Sequence, residues 1–255
     1  SLFAFIKVMG ISLKVTRQQL WSLIGIGALL MVHWIFFYGA IKYSNISVTL
    51  GIFSSTTLFT ALIEPMITNK KFNKAEILYS LMAIVGICII FYSDSNSYTV
   101  GIILALLAAF LGAFFNILNK NIVGKVPSEV VSFYEIFSGL LVLTPLLPLY
   151  INYFNPTKLL PDANDWVLLV ILAVVCTHIT LILSLNALKH LSAFTLNLSI
   201  NLEPIYGITL AFLIFHENQM LGPGFFIGTA IIMASVLLHS YFDSRANKKE
   251  MPAVM

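Results

Sequence analysis

Asn197 to Glu217 reads NLSINLEPIYGITLAFLIFHE, a run greasy enough to be a helix in lipid except for the Glu203-Pro204 step at its middle. A carboxylate and a residue that breaks the helical hydrogen-bond ladder are both costly inside a bilayer. Something must compensate them or use them. The rest of the chain supports the lipid setting. Of its 255 residues 59% are hydrophobic and only 10% are charged, with a mean hydropathy of +0.94. Soluble domains carry about 25% charged residues, so charge cannot solvate this surface and lipid must.

Working outward, eight apolar runs approach the roughly 20 residues that a spanning helix needs. They are Trp21–Ala40, Ile46–Ile67, Ile77–Tyr92, Val100–Leu118, Val130–Tyr150, Trp166–Leu185, Ala193–Phe215 and Gly222–Tyr241. The polar punctuation between them is short: TRQQ, TNKKFNKAE, SDSNS, NKNIVGKVPSE, NPTKLLPDAND and HENQ. No loop has room for a soluble catalytic domain, so function must live in the helices. The opening SLFAFIKVMG, with Lys7 inside it, reads as the tail of a helix that begins before this sequence.

Orientation follows from the basic residues, because positive loops stay cytoplasmic. With the end of the opening segment inside, the inner loops collect Lys7, Lys14, Arg17, Lys70, Lys71, Lys74, Lys120, Lys125, Lys189, Arg245, Lys248 and Lys249. Only Lys42 and Lys158 fall outside. The C-terminus is expected in the cytoplasm. Net charge is only +3 and its carriers sit in loops, which argues against a nucleic-acid partner.

A weak repeat is visible. Trp21, His33 and Lys42 recur in spacing as Trp166, His178 and Lys189, each set followed by a long span, a short break and a final span. Alternation places Lys42 outside and Lys189 inside, so the copies are inverted, an architecture common among secondary transporters. Residues 1–93 form the first repeat and 94–255 the second. The second has two spans before Trp166 and the first has only the opening segment before Trp21. A ten-helix parent is therefore expected, its first helix and most of its second lying outside this chain.

With these features the sequence resembles the EamA family of the drug/metabolite transporter superfamily. The resemblance is carried by HLSAFTLNLSINLEPIYGITLAFLIFHE, with its mid-helix Pro and terminal Glu, and by the matching GAIKYSNISVTLGIFSSTTLFTALIEP of the first half. There Thr57 stands where the family has Pro, and Lys70 where it has Glu. The resemblance implies a bacterial inner-membrane protein with ten helices and a cavity between repeats, exporting amino acids, other metabolites or toxic compounds. It also implies that the helix bearing His33 lines that cavity.

Ionisable groups inside spans point to function. Glu203, near the midplane by count from Lys189, shares a helix face with Thr195, Ser199, Tyr206 and Gly207, while Asn197 and Asn201 lie nearly opposite. It reads as a proton or substrate-amine site, or else as a protonated carboxyl bonded to a neighbouring helix. Glu135 lies on the stripe Ser128, Ser132, Glu135, Ser138 and Gly139, which reads either as a polar site or as a packing seam. Glu64 reads as a carboxylate reaching the basic interface near Lys70. In HWIFFY, His33, Trp34, Phe37 and Tyr38 form an aromatic wall that could face substrate or lipid. His178 has apolar helical neighbours and reads as a satisfied core residue. Cys88 and Cys176 form no disulfide framework or metal-ligand spacing. HENQM is not HExxH, and no phosphate-cradling glycine run or GxSxG occurs, so neither an enzyme nor a cofactor or metal is expected. The expectation is an all-α transporter of a small organic solute, working by alternating access, with Glu203, His33, Trp34, Tyr38, Asn201, Tyr206 and Glu135 as substrate-binding or coupling residues. Lipid, solute and optionally protons are its partners. The alternatives are an uncoupled facilitator of the same fold and a non-transporting scaffold or sensor.

Overall fold

A computed structural model describes residues 10–68, 72, 74–155, 160–200, 203–216 and 221–250. Among them every regular element is a helix: α1 (Arg17–Tyr43), α2 (Ile46–Phe53), α3 (Thr56–Ile67), α4 (Lys74–Lys120), α5 (Ser128–Phe154), α6 (Ala163–Ile171), a π-helical segment (Leu172–Ile179), α7 (Thr180–His190), α8 (Ala193–Ile200), α9 (Glu203–Phe215) and α10 (Pro223–Glu250). Five stretches are long and apolar enough to cross a membrane: Arg17–Tyr43, Ile46–Ile67, Tyr98–Lys120, Ser128–Phe154 and Ala163–His190.

The polar punctuation does local work at the helix ends. In TRQQ, the Thr16 hydroxyl accepts from the Gln19 backbone N–H at 3.2 Å and the Gln19 side chain accepts from the Thr16 N–H at 2.8 Å. This reciprocal pair satisfies two of the donors that the start of α1 leaves open. Asn45 caps α2 by accepting from the Val48 N–H at 2.8 Å. Asn155 ends α5 in the left-handed region, with φ of 40°, and returns its N–H to the Ile151 carbonyl.

One expected boundary is not a break. SDSNS was read as a loop between two spans, yet α4 continues through it. The segment holds no Pro or Gly, so nothing in its backbone forbids helix. At about 1.5 Å per residue the 47 residues of α4 extend roughly 70 Å, more than twice a hydrocarbon core of about 30 Å. The polar stretch therefore joins two apolar segments of one helix, Ile77–Ile90 and Tyr98–Lys120.

Contacts group the chain into two compact units, residues 1–31 with 118–191, and residues 32–117 with 192–255. Each draws on both sides of residue 93. In the first unit α5 packs against α7, and Gly27 of α1 lies so close to α5 that an added Cβ would run into the Glu135 backbone and the Ser138 side chain. The second unit has an apolar core of Ala40, Val48, Ile52, Ile90, Ile102, Ala105, Leu221, Phe225 and Ile232. Here α4 and α10 meet through Gly86 and Gly228, whose Cβ positions would strike the opposing backbone. Lipid is as apolar as these side chains, so close packing at small residues rather than escape from water holds such helices together. The outward faces match a lipid solvent: Leu140, Leu147, Leu149, Trp166, Val167 and Leu168 are all exposed.

Candidate functional site: an interrupted span and its partner

The second unit contains a span that is not one continuous helix. It is Ile46–Ile67, where α2 stops at Phe53, Ser54 and Ser55 form a turn, and α3 resumes at Thr56. Hydroxyls occupy the carbonyls around the break. Ser54 donates to the Gly51 carbonyl at 2.6 Å, Thr56 to Phe53 at 2.6 Å, Thr57 to Ser54 at 3.1 Å and Thr60 to Thr56 at 2.8 Å. Such back-bonding competes with the helical ladder and bends it. Ser54, Ser55, Thr56, Thr57 and Thr60 are all buried, and the Ser55 hydroxyl has no hydrogen-bond partner. Thus a break forms where the family's Pro is missing, displaced slightly from Thr57 and made by side chains.

The span packed against it is Ala193–Phe215, described as α8 to Ile200 and as α9 from Glu203.

These two spans pack on each other in crossed halves: α2 lies against α9, and α3 against α8. Gly207 of α9 admits a methyl of Leu50 from α2. A polar chain ties the other halves. Asn116 of α4 donates to the Asn197 Oδ1 of α8 at 2.5 Å, and Asn197 Nδ2 donates to the Thr60 Oγ1 of α3 at 2.7 Å. Asn197 is 1% exposed. The sequence reading had Asn116 in a packing stripe and missed this chain. Its signal was there: Asn116, Asn197 and Thr60 are amides and a hydroxyl in otherwise apolar spans.

His33 is buried in the same unit. Its Nδ1–H donates to the Ala108 carbonyl at 2.8 Å, and its ring centroid lies 6.1 Å from Phe37 and 5.6 Å from Phe53. Gly112 leaves room for it, since an added Cβ would come within 3.3 Å of Cε1. Trp34 is half-buried, and Tyr38 is exposed with its ring edge-on to Phe37. Glu203 and Tyr206 are exposed on α9, and Asn201 lies outside the described residues. Glu64, read as an interfacial carboxylate, is instead 4% exposed within α3. Glu135 belongs to the first unit, where it is fully buried. His178 sits in the π-helical segment of that unit, where the Thr180 hydroxyl donates to the Val175 carbonyl at 3.2 Å, and its Nε2 is buried with no partner. It is not the satisfied core histidine expected from its neighbours. Among the described residues no three His, Cys, Asp or Glu side chains gather as metal ligands.

Residues 99–241, more than half of this chain, match the EamA-like transporter family. The chain belongs to that family. It is a multi-pass membrane protein. It is 22% identical over 202 residues to "Uncharacterized transporter YxxF" of Bacillus subtilis (strain 168), covering 77% of this chain and 63% of that protein. The chain therefore spans under two thirds of the length of this relative. A protein of known crystal structure shares the fold with a TM-score of 0.68 at 17% identity, over 96% of this chain and 84% of the other.

Proposed function

We propose that the protein moves a small organic solute, such as an amino acid or another metabolite, across the bacterial inner membrane. Two inverted five-helix repeats alternate access to a site near the midplane, the C-terminus is cytoplasmic, and the favoured direction is export. One observation carries the reading: the interrupted span of α2 and α3 packs in crossed halves on α9 and α8 around buried hydroxyls and amides. Interrupted helices at membrane depth are tolerated where they line a cavity or are buried in protein, and in transporters they hold the substrate. In this scheme Glu203 and Tyr206 are available to solute, because this chain leaves them uncovered, while His33 positions the aromatic wall with Trp34 and Tyr38.

Proton coupling through Glu203 is one option. The second is that Glu203 is a structural carboxylate in an uncoupled facilitator of the same fold. Flux of a panel of amino acids and small metabolites into proteoliposomes separates the two, using the full-length protein with and without a pH gradient. A gradient response lost in Glu203→Gln supports coupling. Equal, gradient-insensitive flux in both supports the facilitator, and no flux of any solute sinks the transport reading.

A further inference from the structure

The two sides of α9 are treated differently by the rest of the chain. At about 100° per residue, Glu203, Tyr206, Leu210, Leu213 and Ile214 share one side of the helix, and all five are exposed. The other side is packed. Gly207 admits the Leu50 methyl, Ala211 is buried, and the Phe212 ring centroid lies 5.8 Å from that of Phe226 on α10. The uncovered side is thus one surface: a carboxyl, an aromatic ring one turn on, and then aliphatic side chains. Among the described residues no ion pair reaches Glu203.

That order of groups selects what can lie on it. Lipid suits the aliphatic part, but a carboxyl turned to hydrocarbon is costly. Water suits the carboxyl and leaves the apolar side chains unserved. An anionic solute would bring like charges together. A cation with an apolar body meets every group in turn. Its charge is attracted by the carboxyl and by the face of a tyrosine ring within about 6 Å, and its body covers Leu210 and Leu213. We propose that the solute is a small organic cation with an apolar body, its positive head held by the Glu203 carboxyl and the Tyr206 ring. This rests on the transport reading above and adds the class of substrate to it.

Equilibrium binding separates this class from its rivals without reading flux. The full-length protein in lipid nanodiscs is titrated with three probes that share a phenyl body: trimethyl(2-phenylethyl)ammonium, 3-phenylpropanamide and 3-phenylpropanoate. The ammonium is expected to bind about tenfold tighter than the neutral and anionic probes. Glu203→Gln is expected to erase that preference and to keep the wild-type thermal midpoint. Tyr206→Leu should weaken ammonium binding about threefold, whereas Tyr206→Phe, which keeps the ring, should preserve it.

Tighter binding of the amide or the propanoate would overturn the proposal, and so would an ammonium preference that survives Glu203→Gln. Binding of none of the three would overturn it as well, by showing that protein rather than solute covers this side of α9. Movement of the ammonium into proteoliposomes, where lipid does not pass its permanent charge, then tests the transport reading by itself. An ammonium bound through Glu203 and not carried would keep the site and sink transport. Carriage of the propanoate in its place would keep transport and sink the cation.

Discussion

The two spans that pack on each other carry their polar groups differently. At Ser54–Ser55 of one, a break is written in hydroxyls, each taking a carbonyl three or four residues back, and the whole stretch is buried. On α9 of the other, the carboxylate of Glu203 is exposed. The difference separates two duties of polar groups in a span. One set is sealed into protein and holds architecture. The other leaves its charged group where this chain does not cover it, which is where chemistry with a solute would take place.

That contrast can be broken in several ways. The largest effect is expected from Asn197→Leu, which orphans Asn116 Nδ2 and cuts the tie between α8 and α3. It should cost about 1–3 kcal/mol, read by unfolding in lipid-detergent mixtures, with Asn116→Leu costing less. Ser54→Ala with Thr57→Ala should come next, since a hydrogen bond within membrane proteins averages about 0.6 kcal/mol. Its sharper readout is straightening of the first break, seen as slower hydrogen exchange at Ser55 and Thr56. Smallest should be Glu203→Gln, at about 0.5 kcal/mol or less, as for an exposed side chain. The same unfolding measurement applies, and a larger loss would mean the carboxylate is holding a buried partner.

Much of the fold was legible because lipid imposes a blunt rule: apolar runs of spanning length become helices, and TRQQ and Asn45 cap them as their residue types suggest. The SDSNS boundary was misplaced because polar composition marks where a helix leaves the bilayer, and ends no helix by itself. The break at Ser54–Ser55 was not legible. Serine and threonine are tolerated in spanning helices, and only the geometry of their hydroxyls decides whether they bend one. The partners of Asn197 were equally hidden. Residues 81 and 137 positions apart meet there, and no local pattern records such a meeting. For His33 the sequence offered an aromatic wall. The structure adds the carbonyl of Ala108, a partner without a side-chain signature.

The hydroxyls at Ser54, Thr56 and Thr57 have a kinetic consequence. A hydroxyl is a rotor: turning about one single bond releases the carbonyl it holds, with no peptide isomerisation required. The bend between α2 and α3 is thus fastened by contacts that a single rotation each can undo, rather than by any fixed feature of the main chain.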